Sequence, residues 1–453
     1  MEACRRVAVV GSGIAGNGAA WLLSRRHAVT LFESDTRAGG HSHTVDLTLD
    51  GVSAPIDTGF LVFNRKTYPH LCGLFETLGV ETVGSDMSFA FTRDQPDLEW
   101  AGTNLATVFG QPANLLRLDF LRMVRDILRF NRVGSRLAQS DSCPSGSLGD
   151  YLDAHGYSMA FRDWYLLPMA AAIWSCPKTT MLAFPLRSFL QFCHNHCLLQ
   201  VEGRPQWLTV AGGSRSYVQR MHRDLTDVRL GRKIHALRRL KSGVELIGDG
   251  WQETFDAVVL ACHSDESLQI LGSEATPDER EVLGAVRYQP NRAVLHSDPA
   301  LLPRRSRVWA AWNYLADSRA GGASGTSPVA VSYLINKLQP LPFAQPVVVT
   351  LNPFRDPDPG LTWREIRYSH PVFDQAAMAA QARLPCIQGK GAVWFAGAWT
   401  GYGFHEDGLR SAVVVARDFG VTPPWTAPEV AVDASLVPSV ASTAQPGEAE
   451  ARQ

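Results

Sequence analysis

A glycine turn of the form Gly11-x-Gly13-x-x-Gly16 lies between two apolar runs and restricts this chain more than any other feature. RVAVV (6–10) reads as a short buried strand, IAGNGAAWLLSRR (14–26) has helical apolar spacing, and HAVTLFE (27–33) returns to a strand. In a strand–turn–helix–strand unit Gly11 permits the tight turn, Gly13 lets the backbone approach a pyrophosphate, and Gly16 lets the helix pack close to the sheet. Amides around Ser12, Ile14 and Ala15, with the helix dipole behind them, then face the phosphates. Glu33 closes the second strand, where a carboxylate can accept from ribose hydroxyls and would repel a 2′-phosphate, which disfavours NADP. The bland alternative is a glycine-rich surface turn; the complete context with its acid favours a dinucleotide.

Composition narrows the classes. The chain has 453 residues, 45% apolar and 19% charged, enough for one large core or two. Its 43 basic and 44 acidic residues leave a formal charge of −1, which argues against a nucleic-acid partner. No apolar run reaches the length of a membrane span, and the longest, Trp164 to Trp174, contains Pro168. Val7 to Val10 is too short for an export segment, and eight cysteines without a CxxC pair read as reduced thiols. The expected location is cytoplasmic.

Helical patterns dominate 66–205, residues 228–262 read as a β-meander ending in DAVVLAC, and 286–370 carries strand-like runs. DSRAGGASGTSP (317–328) reads as a surface loop, and 423–453 as a disordered tail by composition.

Two further segments carry a family resemblance. Arg37-x-Gly39-Gly40 follows Glu33 at once, and VWFAGAWTGYGFHEDGLRSAVVVA (393–416) is a strand ending in Ala-Gly followed by a loop and a helix starting near Gly408. Together with the glycine turn they resemble FAD-binding amine oxidases and their relatives, over roughly residues 5–422. GGHSHTVD (39–46), DTGFLVFN (57–64), YPH (68–70), RDWYLLPMAAAIW (162–174), QPNRAVLH (289–296) and GYGFHEDGLRSA (401–412) are closer still to a bacterial group of FAD-dependent oxidoreductases. Such proteins often accompany cyclopropane-fatty-acid-synthase-like methyltransferases.

The resemblance implies an α/β fold with a discontinuous, Rossmann-like FAD domain from 1–65, 206–270 and 386–422, and an interleaved α+β substrate domain from 66–205 and 271–385. It implies FAD contacts at Gly11, Ser12, Gly13, Ile14, Ala15, Gly16, Glu33, Gly39, Gly40, His41, Ile234, Gly397, Gly408 and Leu409. Amides at a helix beginning at Gly408 would face the flavin C2 carbonyl; Asp407 before it reads as an N-cap and Glu406 as a surface acid. The implied reaction is hydride transfer between flavin and an apolar, lipid acyl substrate. A flavin-dependent isomerase or desaturase of an acyl or isoprenoid chain is the alternative, as is a non-catalytic flavoprotein partner of a lipid methyltransferase.

The chain departs from the amine-oxidase pattern in places. The usual Arg after the paired glycines is His41, the usual acid after the late Ala-Gly is Ala398, and the lysine over the flavin falls at Arg292. Oxidation of simple amines is therefore not expected, and Arg292, His405 and Tyr402 are the candidates for catalysis. His41-x-His43 and Cys193-His194-Asn195-His196-Cys197 read as buried polar packing, so no metal is expected.

One helix stands out. Residues 113–137 hold six arginines and two aspartates. Arg122, Arg125, Arg129, Arg132 and Arg136 share an arc of roughly 80° at helical spacing, with Leu116, Phe120, Met123, Val124, Ile127 and Phe130 on the other side. The plain reading is a solvated face; the sharper one is contact with anionic lipid on the inner membrane face, through charge without an apolar wedge.

Overall fold

A computed structural model describes residues 4–140, 142–174, 178–200, 203–316 and 330–428. The 317–328 segment and residues 429–453 of the expected tail lie outside the described residues.

The glycine turn opens a five-stranded parallel sheet. Its order is Asp227–Arg229, Ala28–Phe32, Arg6–Val10, Ala257–Leu260 and Val393–Phe395, so three distant stretches of chain build one sheet. Near-continuous apolar runs suit strands covered on both faces. Val7, Val9, Leu31 and Val259 point into one core, and Ala8, Val10, Phe32 and Leu260 into another.

Helix α1 (Ile14–Leu23) leaves the first strand on the first of these faces. Along the chain follow α2 (Pro69–Leu78), α3 (Leu118–Ala138), α4 (Leu186–Asn195), α5 (Arg215–Arg223) and α6 (His405–Asp418). Helices α1 and α6 pack on each other, with Gly18 placed so that a Cβ would lie 2.7 Å from Leu409 Cδ1. The opposite face carries an antiparallel meander, Ile234–Arg239, Val244–Gly248 and Trp251–Phe255.

A second, seven-stranded mixed sheet comes from residues 89–101 and 287–372. Its long pair is Arg287–His296 against Thr362–Val372. Aromatic residues of the helical region 118–195 pack on this sheet through Phe91 and Tyr314.

Two expectations change. The late helix begins at His405, three residues before Gly408. The start of the assigned tail is docked: Trp425 stacks on Trp21 at 6.1 Å and its Nε1 donates to His70 Nδ1 at 3.2 Å. Gly73 makes room, since a Cβ there would meet Trp425 at 2.4 Å.

Candidate functional site

The carboxyl ends of the first sheet open into a cavity of about 1010 Å³ that runs into the space beside the second sheet. Its cofactor end is made by the N-terminus of α1. Gly13 caps that helix with no side-chain hydrogen bond, leaving first-turn amides free to meet an anion. A Cβ at Gly13 would meet nothing within 4 Å, whereas one at Gly16 would lie 1.7 Å from the Gly11 carbonyl oxygen. The first glycine therefore keeps ligand space open, and the second keeps the helix against its own turn.

Glu33 fixes the turn from the next strand. Its Oε2 accepts from Ser12 N at 2.9 Å and Ser12 Oγ at 2.6 Å, while Oε1 accepts from Asp35 N at 2.8 Å. Arg37, which was not among the expected contacts, donates to the carbonyls of Ala38, Gly40 and Ser42 and so clamps the paired-glycine turn. Gly39 donates its N–H to Ser12.

Of the expected cofactor residues, Gly11, Ser12, Gly13, Ile14, Ala15, Glu33, Gly40, His41, Ile234 and Gly397 line this cavity. Gly16, Gly39, Gly408 and Leu409 stand behind it. Because α6 begins at His405, the Gly408 N–H is already bonded to the Phe404 carbonyl and is not available to a flavin. Gly408 serves close packing instead: a Cβ there would lie 2.8 Å from Ile14 Cγ2. Asp407 does cap, from inside the first turn, accepting from Tyr402 N and Phe404 N at 3.0 Å each.

Glu406 is not a surface acid. It is buried and accepts from His70 N at 2.9 Å and Leu71 N at 3.0 Å, capping α2; burial pushes its carboxyl up to about 7. Asp57 does the same for α5 through Ser214 N, and burial raises it to about 6.

Arg292 is corrected outright. It does not line the cavity; it is partly exposed and paired with Asp356 and with Glu365 at 2.9 Å. Strand alternation explains this. Ala293, one residue on, lines the cavity, so Arg292 points to the other face.

The remaining histidines form an ordered network. Arg292 N donates to Asn352 Oδ1 at 2.8 Å, so the Asn352 amide nitrogen faces Asn291 Oδ1, at 2.7 Å. The Asn291 amide nitrogen then donates to the Gln289 carbonyl and to His370 Nδ1, at 3.1 and 2.7 Å. His370 must carry its proton on Nε2, which faces His41 Nε2 at 3.2 Å, so His41 holds its own proton on Nδ1. Burial holds both rings neutral: His370 is lowered to about 4, and His41 is lowered further by the neighbouring histidine. Tyr368 stacks on His41 at 4.8 Å and shares hydrogen bonds with Thr58 and His43.

His405 is held as firmly. Its Nε2 lies 3.0 Å from Ser42 Oγ and 3.2 Å from the Tyr217 hydroxyl, and its ring stacks on Phe60 at 3.8 Å. Burial lowers it to about 3, so it stays neutral near neutral pH and acts as a wall and strut. Tyr402 lines the cavity edge-on to Phe192 at 5.5 Å. Tyr217, Tyr368 and His370 were missed because their partners lie far along the chain, whereas those of Arg37 lie within five residues. Only Arg37, beside the paired glycines, carried a local signal.

Away from the first sheet the lining is Ala172, Ile173, Trp312, Val349, Leu351 and Ile366, among others. The acids that line the cavity among the described residues are Glu33 and Asp35, just beyond the Ala28–Phe32 strand, and Glu266, in the first turn of the helix Ser264–Leu271 that follows the Ala257–Leu260 strand. Among the described residues no helix is long and apolar enough to cross a membrane.

The flavin containing amine oxidoreductase family matches residues 14–295. A carotenoid phi-ring synthase of Streptomyces griseus is 28% identical over 351 residues, 71% of this chain, and the match spans 63% of that relative's length. Among solved structures, a CLA-producing fatty acid isomerase from P. acnes superposes with a TM-score of 0.63 at 16% identity, covering 92% of this chain and 99% of that one. Cyclohexylamine oxidase from Brevibacterium oxydans gives 0.63 at 16% identity, covering 92% and 100%. The open Gly13 cradle, the uncapped helix start and the ribose-side acid fit FAD. This chain belongs to the flavin containing amine oxidoreductase family and is an FAD-dependent oxidoreductase.

Proposed function

We propose that this enzyme moves a hydride between FAD and an apolar lipid acyl substrate. The observation that carries the reading is the charge pattern of the cavity. Its acids sit at the cofactor end, and the arm beyond is apolar. Arg367 touches that wall, but it is exposed and stands directly opposite Arg292 in the strand pair, so its cation points away from the arm. An ammonium taken into such an arm would lose its hydration without gaining a carboxylate partner, at a cost of several kcal/mol. An acyl chain gains about 0.8 kcal/mol for each buried methylene. A fatty acid isomerase and a carotenoid ring synthase among the similar proteins support an apolar substrate.

FAD supplies the two-electron chemistry when bound. The chain's own part is placement. Amides of the first turn of α1 and the turn clamped by Arg37 hold the phosphates, and Glu33 excludes a further phosphate on the ribose side. His41 and His370 keep their protons at Nδ1 and Nε2, so polar contact is offered there without a charge. Phe60, packed against His405, and the aliphatic arm keep water away.

Anaerobic mixing of the holoenzyme with a lipid extract, followed by flavin absorbance and lipid mass spectrometry, tests this. Bleaching with a desaturated product is expected. A rearranged lipid without net bleaching would indicate the isomerase alternative. An unchanged lipid pool and unchanged flavin would overturn the reading.

A further inference from the structure

The helix with the arginine stripe differs from its expected form in a way that changes its meaning. The stretch 113–137 is not one helix: a 3-10 turn, Pro112–Leu116, is separated from α3 by extended Arg117, φ −91° and ψ 109°. That break rotates Leu116 out of the buried phase assigned to it. It is 88% exposed, with Leu115 at 53% and Leu118 at 71%. Leu121 and Leu128 are exposed as well. At about 100° per residue Leu118, Leu121 and Leu128 fall in the same roughly 120° arc as Arg122, Arg125, Arg132 and Arg136. The opposite side buries Phe120, Met123 and Phe130.

The charge is correspondingly smaller than the stripe implied. Arg122 pairs with Asp119 at 3.0 Å and Arg125 with buried Asp126 at 3.2 Å. Arg129 lies over Tyr157 at 3.8 Å and donates to the His155 carbonyl. Arg132 and Arg136 have no carboxylate partner among the described residues.

We infer that this face, from Leu115 to Arg136, docks on a lipid bilayer, the leucines entering the acyl layer and Arg132 and Arg136 meeting anionic headgroups. Two features favour a bilayer over a protein. Five exposed leucines, Leu115, Leu116, Leu118, Leu121 and Leu128, fall within one short stretch of chain, apolar side chains that gain by entering an acyl layer. The free cations lie on the same arc, the arrangement of an interfacial helix whose charges stay at headgroup level. The face is also one helix from the cavity: α3 packs on α4, whose Phe192 lines the apolar arm. The proposal concerns where the enzyme sits and does not depend on the identity of its substrate.

The test is sedimentation of the FAD-loaded full chain with phosphatidylcholine vesicles, with and without phosphatidylglycerol. Binding to both is expected, tighter with the anionic lipid. Leu116→Asp with Leu118→Asp should weaken both by on the order of tenfold or more while the flavin spectrum is unchanged. Arg132→Glu with Arg136→Glu should remove only the anionic increment. Binding that needs anionic lipid and ignores the leucine changes would overturn the wedge. So would a dimer in light scattering that Leu116→Asp dissolves, with no vesicle binding by wild type, because the face would then belong to a second copy.

Discussion

The carboxylate of Glu406 and the backbone N–H of His70 meet at 2.9 Å, joining the start of α6 to the start of α2 across a buried interface. Burial raises this acid to about 7, above its ordinary 4.5. A raised acid binds its proton more tightly folded than unfolded, so its contribution to stability is complete below about pH 4.5 and declines as pH rises toward 7. Glu406→Gln removes that dependence. From about pH 5 to about pH 8 the variant should gain on wild type by up to roughly 3 kcal/mol in urea unfolding. Buried histidines such as His370 and His70, lowered to about 4, act with the opposite sign in both proteins and cancel in the comparison. A gap that does not change with pH would contradict this.

Two glycines of one motif should fail differently. Gly13 has an ordinary backbone, φ −65° and ψ −178°, and open space at its Cβ, so Gly13→Val should fold but lose FAD. Gly16→Ala drives a methyl into the Gly11 carbonyl oxygen and should cost folding itself. Circular dichroism and flavin content after purification separate the two outcomes.

Arg292→Ala should leave the flavin spectrum and turnover unchanged. Its half-exposed ion pairs are worth less than about 1 kcal/mol, and its side chain points away from the cavity. A changed flavin spectrum would show that the arginine reaches the cofactor after all.

Arg367 pairs directly with Arg292 across the antiparallel ladder and is exposed, so its side chain shares the face turned from the cavity. Arg367→Ala should therefore leave KM unchanged for a free fatty acid and for its methyl ester. A KM raised for the acid and not for the ester would show that this arginine reaches the substrate carboxylate after all.

What was legible in the sequence was local. Gly11, Gly13, Gly16 and Glu33 occupy one short βαβ unit, where each residue type follows from the backbone it must allow. The site beyond it depends on pairings across the chain: His41 with His370, Ser42 with Tyr217 and His405. No spacing rule reaches these. Arg292 failed because a one-residue shift along a strand reverses the face, and Leu116 because a single extended residue, Arg117, resets the helical phase.

The central claim is an apolar substrate arm joined to an FAD site. Its most direct test is an anaerobic spectral titration of the purified yellow holoenzyme with a long-chain unsaturated fatty acid, and separately with spermine and benzylamine. The flavin absorbance should be perturbed or bleached, saturably, by the fatty acid and left unchanged by both amines. Bleaching by an amine with no response to the acyl chain would contradict the account.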